Sequence, residues 1–336
     1  MGDLHPTQAD SRLALASNEL DPREQRYRIA SPHPGLLMFL RRLAPESGGG
    51  DPVLYVHGAT FPSALSVAHR FFNGSWRDAL VAAGFDVWAL DFLGFGGSDR
   101  YPAMQAPDDA TGPLLLASDA AAQLEAAVRF VVAQTGRERV HLIAHSWGTA
   151  VACRLAERFP ELIGRLVLFG PIARRDPPRY SSRPEGPAWR VVTVEAQWAR
   201  FVEDVPAGEP PVLSRDEFAH WARRYLETDP ESATREPAGV KVPTGPFVEI
   251  LRAWHGELPY DPTAVRAPVC IIRGAWDGLA TDADARWLFD AFNHSAEKRD
   301  IKIGRGTHLM HLEAMRTALW QESIAFLRHD PPRASI

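Results

Sequence analysis

Ser146, Asp277 and His308 have the residue types and chain order needed for nucleophilic acyl transfer. Ser146 lies in LIAHSWGTA, residues 142–150, directly after a continuous apolar run. A chain that reverses sharply from a buried strand into a helix needs small residues on either side of the turn, because larger side chains would collide with neighbouring backbone. Ala144 and Gly148 meet that rule. Such a turn presents the hydroxyl at the carboxyl end of a strand and the amino end of a helix, where the dipole and free N–H groups favour developing negative charge. The same short pattern also describes an ordinary helix N-cap. Ser146 therefore gains a chemical reading only from partners elsewhere.

A serine hydroxyl attacks a carbonyl at neutral pH when an imidazole takes its proton and a carboxylate holds that imidazole in the right tautomer. The strand CIIRG is followed at once by AWDG, which places Asp277 just past a strand end. The strand DIKIG is followed by RGTHLMHLE, which places His308 in the next loop. Read singly, Asp277 is also a turn aspartate and His308 a loop histidine. Together, Ser, Asp and His follow three strands in the order this layout requires. The strand GRLVLFGP ends without a carboxylate, which removes the nearest rival acid, and His311 reads as a packing or hydrogen-bonding residue inside the following helix. An oxyanion hole needs the N–H after the nucleophile, that of Trp147, and one from the loop after PVLYVHG. In His57-Gly58-Ala59-Thr60 the second donor is expected at Ala59, with the Thr60 hydroxyl either a further contact or a turn group.

These residues need a scaffold that carries strand ends to one edge. YRIAS and LLMFLRRLA read as strands separated by PHPG. From PVLYVHG onward, buried strands (FDVWALD, RVHLIAH, GRLVLFGP) alternate with helices (SWRDALVAAG, LLLASDAAAQLEAAVRFVVAQTG, TAVACRLAERFP). This alternation implies an α/β fold with a doubly wound, mostly parallel sheet. The rhythm stops at Pro171 and resumes at APVCIIRG, followed by the helix TDADARWLFDAF, the strand KRDIKIG and the helix LEAMRTALWQESIAFLRH. The expected organisation is a loose arm over 1–20, a core over 21–171, a mainly helical insertion over 172–262, the rest of the core over 263–330 and a tail over 331–336. Helical stretches around Trp189, Trp198, Trp221 and Trp254 supply either the insertion's own core or aromatic pocket walls. Arg174, Arg175, Arg179, Arg183 and Arg190 form a solvated face or meet an anionic tail.

Composition narrows the partners. With 45% hydrophobic and 24% charged residues, the 336-residue chain has ordinary globular usage. A net charge of -5 without clustered Lys and Arg argues against nucleic acid. No run approaches the roughly 18 apolar residues of a membrane span. The first twenty residues carry acids and a proline where a secretory signal would be basic and then apolar, so a cytoplasmic protein is expected. Cys153 and Cys270 sit in apolar runs, and the twelve histidines form no metal-binding pattern.

YVHGAT, DFLGFGGSD, AHSWGT, RGAWDG and GTHLMHLE, in this order, resemble the α/β-hydrolase fold superfamily over residues 24–328 apart from the insertion. The resemblance implies Ser146 as nucleophile, Asp277 as acid, His308 as base, and Ala59 and Trp147 as oxyanion donors. It also implies a structural Asp91 to Ser98 stretch, and a cap domain in place of the insertion. A serine at position 146 departs from the dehalogenase and epoxide hydrolase branches, which use aspartate there. HGAT replaces the HGGPG loop of proline iminopeptidase-like members. The implied activity is hydrolysis of a carboxylic ester, lactone or thioester of a small to medium apolar substrate, with no cofactor or metal. The same site also suits an acyltransferase or biosynthetic thioesterase, carbon–carbon bond hydrolysis or cofactor-free oxygen chemistry, and a ligand receptor is a non-catalytic alternative.

Overall fold

The computed structural model describes residues 21–71, 74–176 and 182–329. The expected arm and tail, and Arg179, lie outside them. Eight strands form one sheet: β1 (Gln25–Ala30), β2 (Leu37–Leu43), β3 (Pro52–Val56), β4 (Asp86–Asp91), β5 (Val140–His145), β6 (Ile163–Phe169), and two that follow the break in rhythm, Val269–Gly274 and Lys298–Ile303. Between β6 and Val269–Gly274 come a two-stranded sheet of β7 (Trp189–Thr193) and β8 (Gly239–Pro243), and the helices Val194–Val202, Arg215–Glu227 and Gly245–Trp254. The last two strands of the large sheet are therefore β9 and β10, and its order is β1-β2-β4-β3-β5-β6-β9-β10. β1 and β2 pair antiparallel, as do β2 and β4, and every later pair is parallel. β6 lies directly beside β9, so the chain leaves the sheet after one strand and returns at its neighbour.

Parallel pairing follows from composition. β3, β4, β6 and β9 are runs of Val, Leu, Ile and aromatic residues buried nearly throughout, as strands covered on both faces must be. The covering helices are α1 (Trp76–Ala82), α2 (Ala117–Thr135), α3 (Trp147–Arg158), α7 (Asp282–Ala291) and α8 (Arg316–Leu327), with α4, α5 and α6 the three helices named above. Capping boxes start α1 at Ser75 with Asp78 and α7 at Thr281 with Asp284. No helix among the described residues is long and apolar enough to cross a membrane.

Three local expectations change. Trp189 stands on strand β7 rather than in a helix: WRVVT is β-branched and pairs with Gly239–Pro243. α2 starts at Ala117 rather than Leu114, because Leu115 has φ 61° and the Leu114 carbonyl accepts from Gly245 N–H at 2.8 Å. His311 lies in a separate 3₁₀ turn, Met310–Leu312, and not in α8. That turn stops because Glu313 reaches back to Thr307, accepting its N–H at 3.1 Å and its hydroxyl as well.

Candidate active site

The β5–α3 junction bends as the small residues predict. A side-chain carbon at Gly148 would stand 2.5 Å from the His57 carbonyl oxygen, so nothing larger fits. Ser146 takes φ 56° and ψ −130°, a conformation rare for a residue with a side chain and costing about 1–3 kcal/mol that the surrounding fold must hold. Its N–H is bound to the Phe169 carbonyl at 2.9 Å. Although Ser146 precedes α3, its hydroxyl makes no capping bond. It meets His308 Nε2 at 2.8 Å instead.

Asp277, beyond β9, and His308, beyond β10, come together with Ser146. His308 Nδ1 lies 3.0 Å and 3.1 Å from the two Asp277 oxygens. The Asp277 Oδ1 atom also accepts from Leu279 N–H and Ala280 N–H, each at 2.9 Å. Burial works against the Asp277 charge, but the neighbouring imidazole and these hydrogen bonds outweigh it and hold the carboxyl below its ordinary range. An ionised carboxylate only accepts, so the His308 proton sits on Nδ1 and Nε2 is left to accept from the serine hydroxyl. The arrangement can thus generate a nucleophilic oxygen at Ser146.

Gly170, directly after β6, makes room for this pair. It has φ +56°, and an added Cβ would stand 3.0 Å from His308 Cε1 and Nδ1 and 3.2 Å from Asp277 Oδ2. Gly170→Ala is expected to cost about 1–3 kcal/mol of stability through its backbone. By displacing the imidazole it should also cost up to about 10²-fold in kcat. Thermal melts and steady-state kinetics on the purified variant check both.

The two expected oxyanion donors flank Ser146. Trp147 opens α3, and the N–H of a first helical residue has no partner within the helix. Ala59 lines the same small space as Ser146, together with Gly58, Thr60, Phe61, His145, Leu309 and Arg200. His57, to which no sequence pattern assigns a role, aims the Ala59 amide. Its Nε2 accepts from Phe92 N–H at 3.1 Å, so its proton is on Nδ1, which donates to the Gly58 carbonyl at 2.7 Å. In a trans peptide the N–H points opposite to the C=O, so anchoring the Gly58 oxygen fixes the direction of the Ala59 N–H.

Other residues position the neighbours of Ser146. His145 Nε2 donates to the His308 carbonyl at 2.9 Å, tying the turn to the imidazole loop. Burial, with His311 and His308 close by, holds His145 neutral by pushing its pKa well below the usual value. The Trp147 indole donates to Glu249 on α6 at 2.8 Å, and the same carboxylate oxygen accepts from Ala117 N–H at 2.7 Å. His311 packs its ring against His145 at 4.5 Å and Phe169 at 5.4 Å. Asp91 binds Ser63 N–H at 2.9 Å and Gly97 N–H at 3.1 Å, bracing loops rather than joining the site. No patterning signal marks Glu249 or Arg200, since each acts through a contact distant in sequence, and His57 acts on the neighbouring carbonyl only in the ring orientation that Phe92 N–H sets.

The tryptophans after β6 are packing residues. Trp221 is fully buried, stacked on Tyr225 at 5.2 Å and edge-on to Phe61 and Phe201. Trp198 packs on Phe218 at 4.9 Å, and Trp189 and Trp254 carry Lys241 and Arg175 over their faces. None of the four lines the space at Ser146. Arg175 is paired with Asp284, Arg183 with Glu257, and Arg190 lies over Phe247, which leaves these arginines no role at the site.

Glu313, one turn beyond His308, has its pKa pushed up to about 7 by burial. A carboxyl raised in the folded state contributes stability that is complete below the ordinary value of 4.5 and is lost as pH rises to about 7. At 1.36 kcal/mol per pH unit this amounts to about 3 kcal/mol. Glu313→Gln should flatten the melting temperature between those limits, and an unchanged slope would show that another group carries it.

The chain matches the family described as alpha/beta hydrolase fold over residues 51–314. Human "Lipase member N" is 30% identical over 127 residues, 38% of this chain and 32% of the lipase. The chain thus spans about a third of that relative's length. Among solved structures, the thioesterase domain from the curacin biosynthetic pathway superposes with a TM-score of 0.59 at 18% identity, covering 90% of this chain and 99% of that one. Epoxide hydrolase A from Mycobacterium thermoresistibile gives 0.59 at 16% identity, covering 91% and 98%. At such identities these likenesses speak to the fold. With a family match across most of its length and a sheet of the same type, this chain belongs to the α/β hydrolase fold family.

Proposed function

We propose that this protein is a serine hydrolase that cleaves a carboxylic ester, lactone or thioester of a small to medium substrate through an acyl-enzyme on Ser146. The observation that carries this reading is the continuous hydrogen-bonded chain from the Ser146 hydroxyl through His308 to the ionised Asp277. Ser146 Oγ attacks the carbonyl carbon and passes its proton to His308 Nε2. The tetrahedral oxyanion is held by the N–H groups of Ala59 and Trp147. His308 returns the proton to the leaving alcohol or thiol, then takes one from the water that releases the acid. The residues between β6 and β9 act as a cap.

Ser146 and His308 expose only 2% and 3% of their surface, and a space of ≈ 10 Å³ lined by Ser146 has room for about one water. In this reading a substrate enters by a shift of the cap. The test is a panel of p-nitrophenyl esters and thioesters of increasing acyl length. An initial burst stoichiometric with enzyme, followed by slower turnover, is the expected result. Absence of both burst and turnover across the panel would overturn the reading.

A further inference from the structure

Arg200, on the cap helix α4, lines the same ≈ 10 Å³ space as Ser146 and Ala59. It donates from Nη1 to the Thr60 hydroxyl at 2.7 Å, and that is the one hydrogen bond it makes among the described residues. A guanidinium has five N–H donors, so most of its capacity is unused there. Among the described residues it also has no carboxylate within the 4.0 Å of an ion pair, although Glu203, Asp204 and Asp277 influence it from further away. Arg200 is half-buried, and desolvation of its head group holds its pKa below the ordinary value, which a bound anion would offset. Gln197, one turn earlier on the same helix, is fully buried and its amide lies beside the Tyr225 hydroxyl without a well-formed hydrogen bond. α4 thus carries a buried amide without a well-formed hydrogen bond and, one turn on, a half-buried guanidinium that lines the space at Ser146 with a single hydrogen bond.

We infer that Arg200 receives a carboxylate carried by the substrate itself, so that the preferred substrate is an ester bearing a free carboxylate within a few bonds of the scissile carbonyl. The planar two-donor fork of one guanidinium matches a carboxylate, and a single cation in so small a space suits a monoanion. Closeness to the reacting carbon follows from the shared lining of one small space by Arg200, Ser146 and Ala59. This narrows the proposed function, on which it rests, from small to medium esters in general to those of acids that enter as half-esters or as esters of hydroxy acids. The bond from Arg200 to Thr60 would then be exchanged for one to the substrate as the cap closes over it.

The test compares kcat/KM for two matched pairs: monomethyl glutarate against methyl pentanoate, and acetoxyacetate against ethyl acetate. The wild type is expected to favour the anionic member of at least one pair by about tenfold or more, as a charge-assisted bond allows. Arg200→Met should bring that ratio to within about twofold, chiefly through KM, while Arg200→Lys keeps part of it. Thr60→Val, which removes the Arg200 contact but leaves the cation, should preserve the ratio. No anionic preference in the wild type, or a preference that survives Arg200→Met, would overturn the inference. Labelling by a fluorophosphonate separates the two levels: a labelled Ser146 without anionic preference sinks only the carboxylate site. If nothing labels and no ester turns over, the hydrolase reading fails, and calorimetric binding of glutarate, expected to vanish in Arg200→Met, then decides on the carboxylate site alone.

Discussion

Ser146→Ala is expected to lower kcat/KM by about 10⁴–10⁶-fold while changing stability by no more than about 1 kcal/mol. The two effects separate because the hydroxyl is used for one contact. It makes no capping bond to α3 and meets only His308 Nε2, so its removal deletes one hydrogen bond worth about 1 kcal/mol. The turn itself is held by backbone, through Ser146 N–H on Phe169 and Thr149 N–H on the Ser146 carbonyl, each at 2.9 Å. Paired measurements of kcat/KM and melting temperature decide the matter. A variant that keeps more than about a tenth of its activity would mean that another group attacks the substrate.

Asp277→Asn should cost about 10⁴-fold in kcat with little change in KM. The reason lies in which oxygen holds which partner. Oδ1 accepts from the Leu279 and Ala280 amides, so the carboxamide of the variant would keep its oxygen there and turn its NH₂ toward His308 Nδ1. An NH₂ group only donates, and Nδ1 would then have to accept. The imidazole proton moves to Nε2, which can no longer take the serine proton. Loss of only tenfold would mean that the carboxylate merely packs beside the ring. The proton position can be read from the imidazole nitrogen shifts, which should report Nδ1–H in the wild type and Nε2–H in the variant.

What the sequence carried was the part governed by local pattern. Apolar runs and caps located the sheet strands, and the small residues flanking Ser146 located a turn that has room for nothing larger at Gly148. Asp277 and His308 were legible because each directly follows a strand of that sheet. The cap-or-nucleophile ambiguity at Ser146 was different: local sequence allows both readings, and only the position of the hydroxyl separates them. Groups that tune the site were not legible. Glu249 meets Trp147 across 102 residues, and Arg200 meets Thr60 across 140. His57 acts through a single peptide plane, and Gly170 through the volume it does not fill. The misplaced elements follow from single hydrogen bonds. α2 starts late because Leu114 bonds Gly245, and His311 leaves the last helix because Glu313 turns back to Thr307.

Covalent labelling decides whether Ser146 is the nucleophile. Wild-type protein treated with a fluorophosphonate should gain the mass of one adduct, and peptide mapping should place it on Ser146. Ser146→Ala should gain none. An adduct on another residue, or an unmodified wild type that still hydrolyses esters, would exclude Ser146 as the nucleophile.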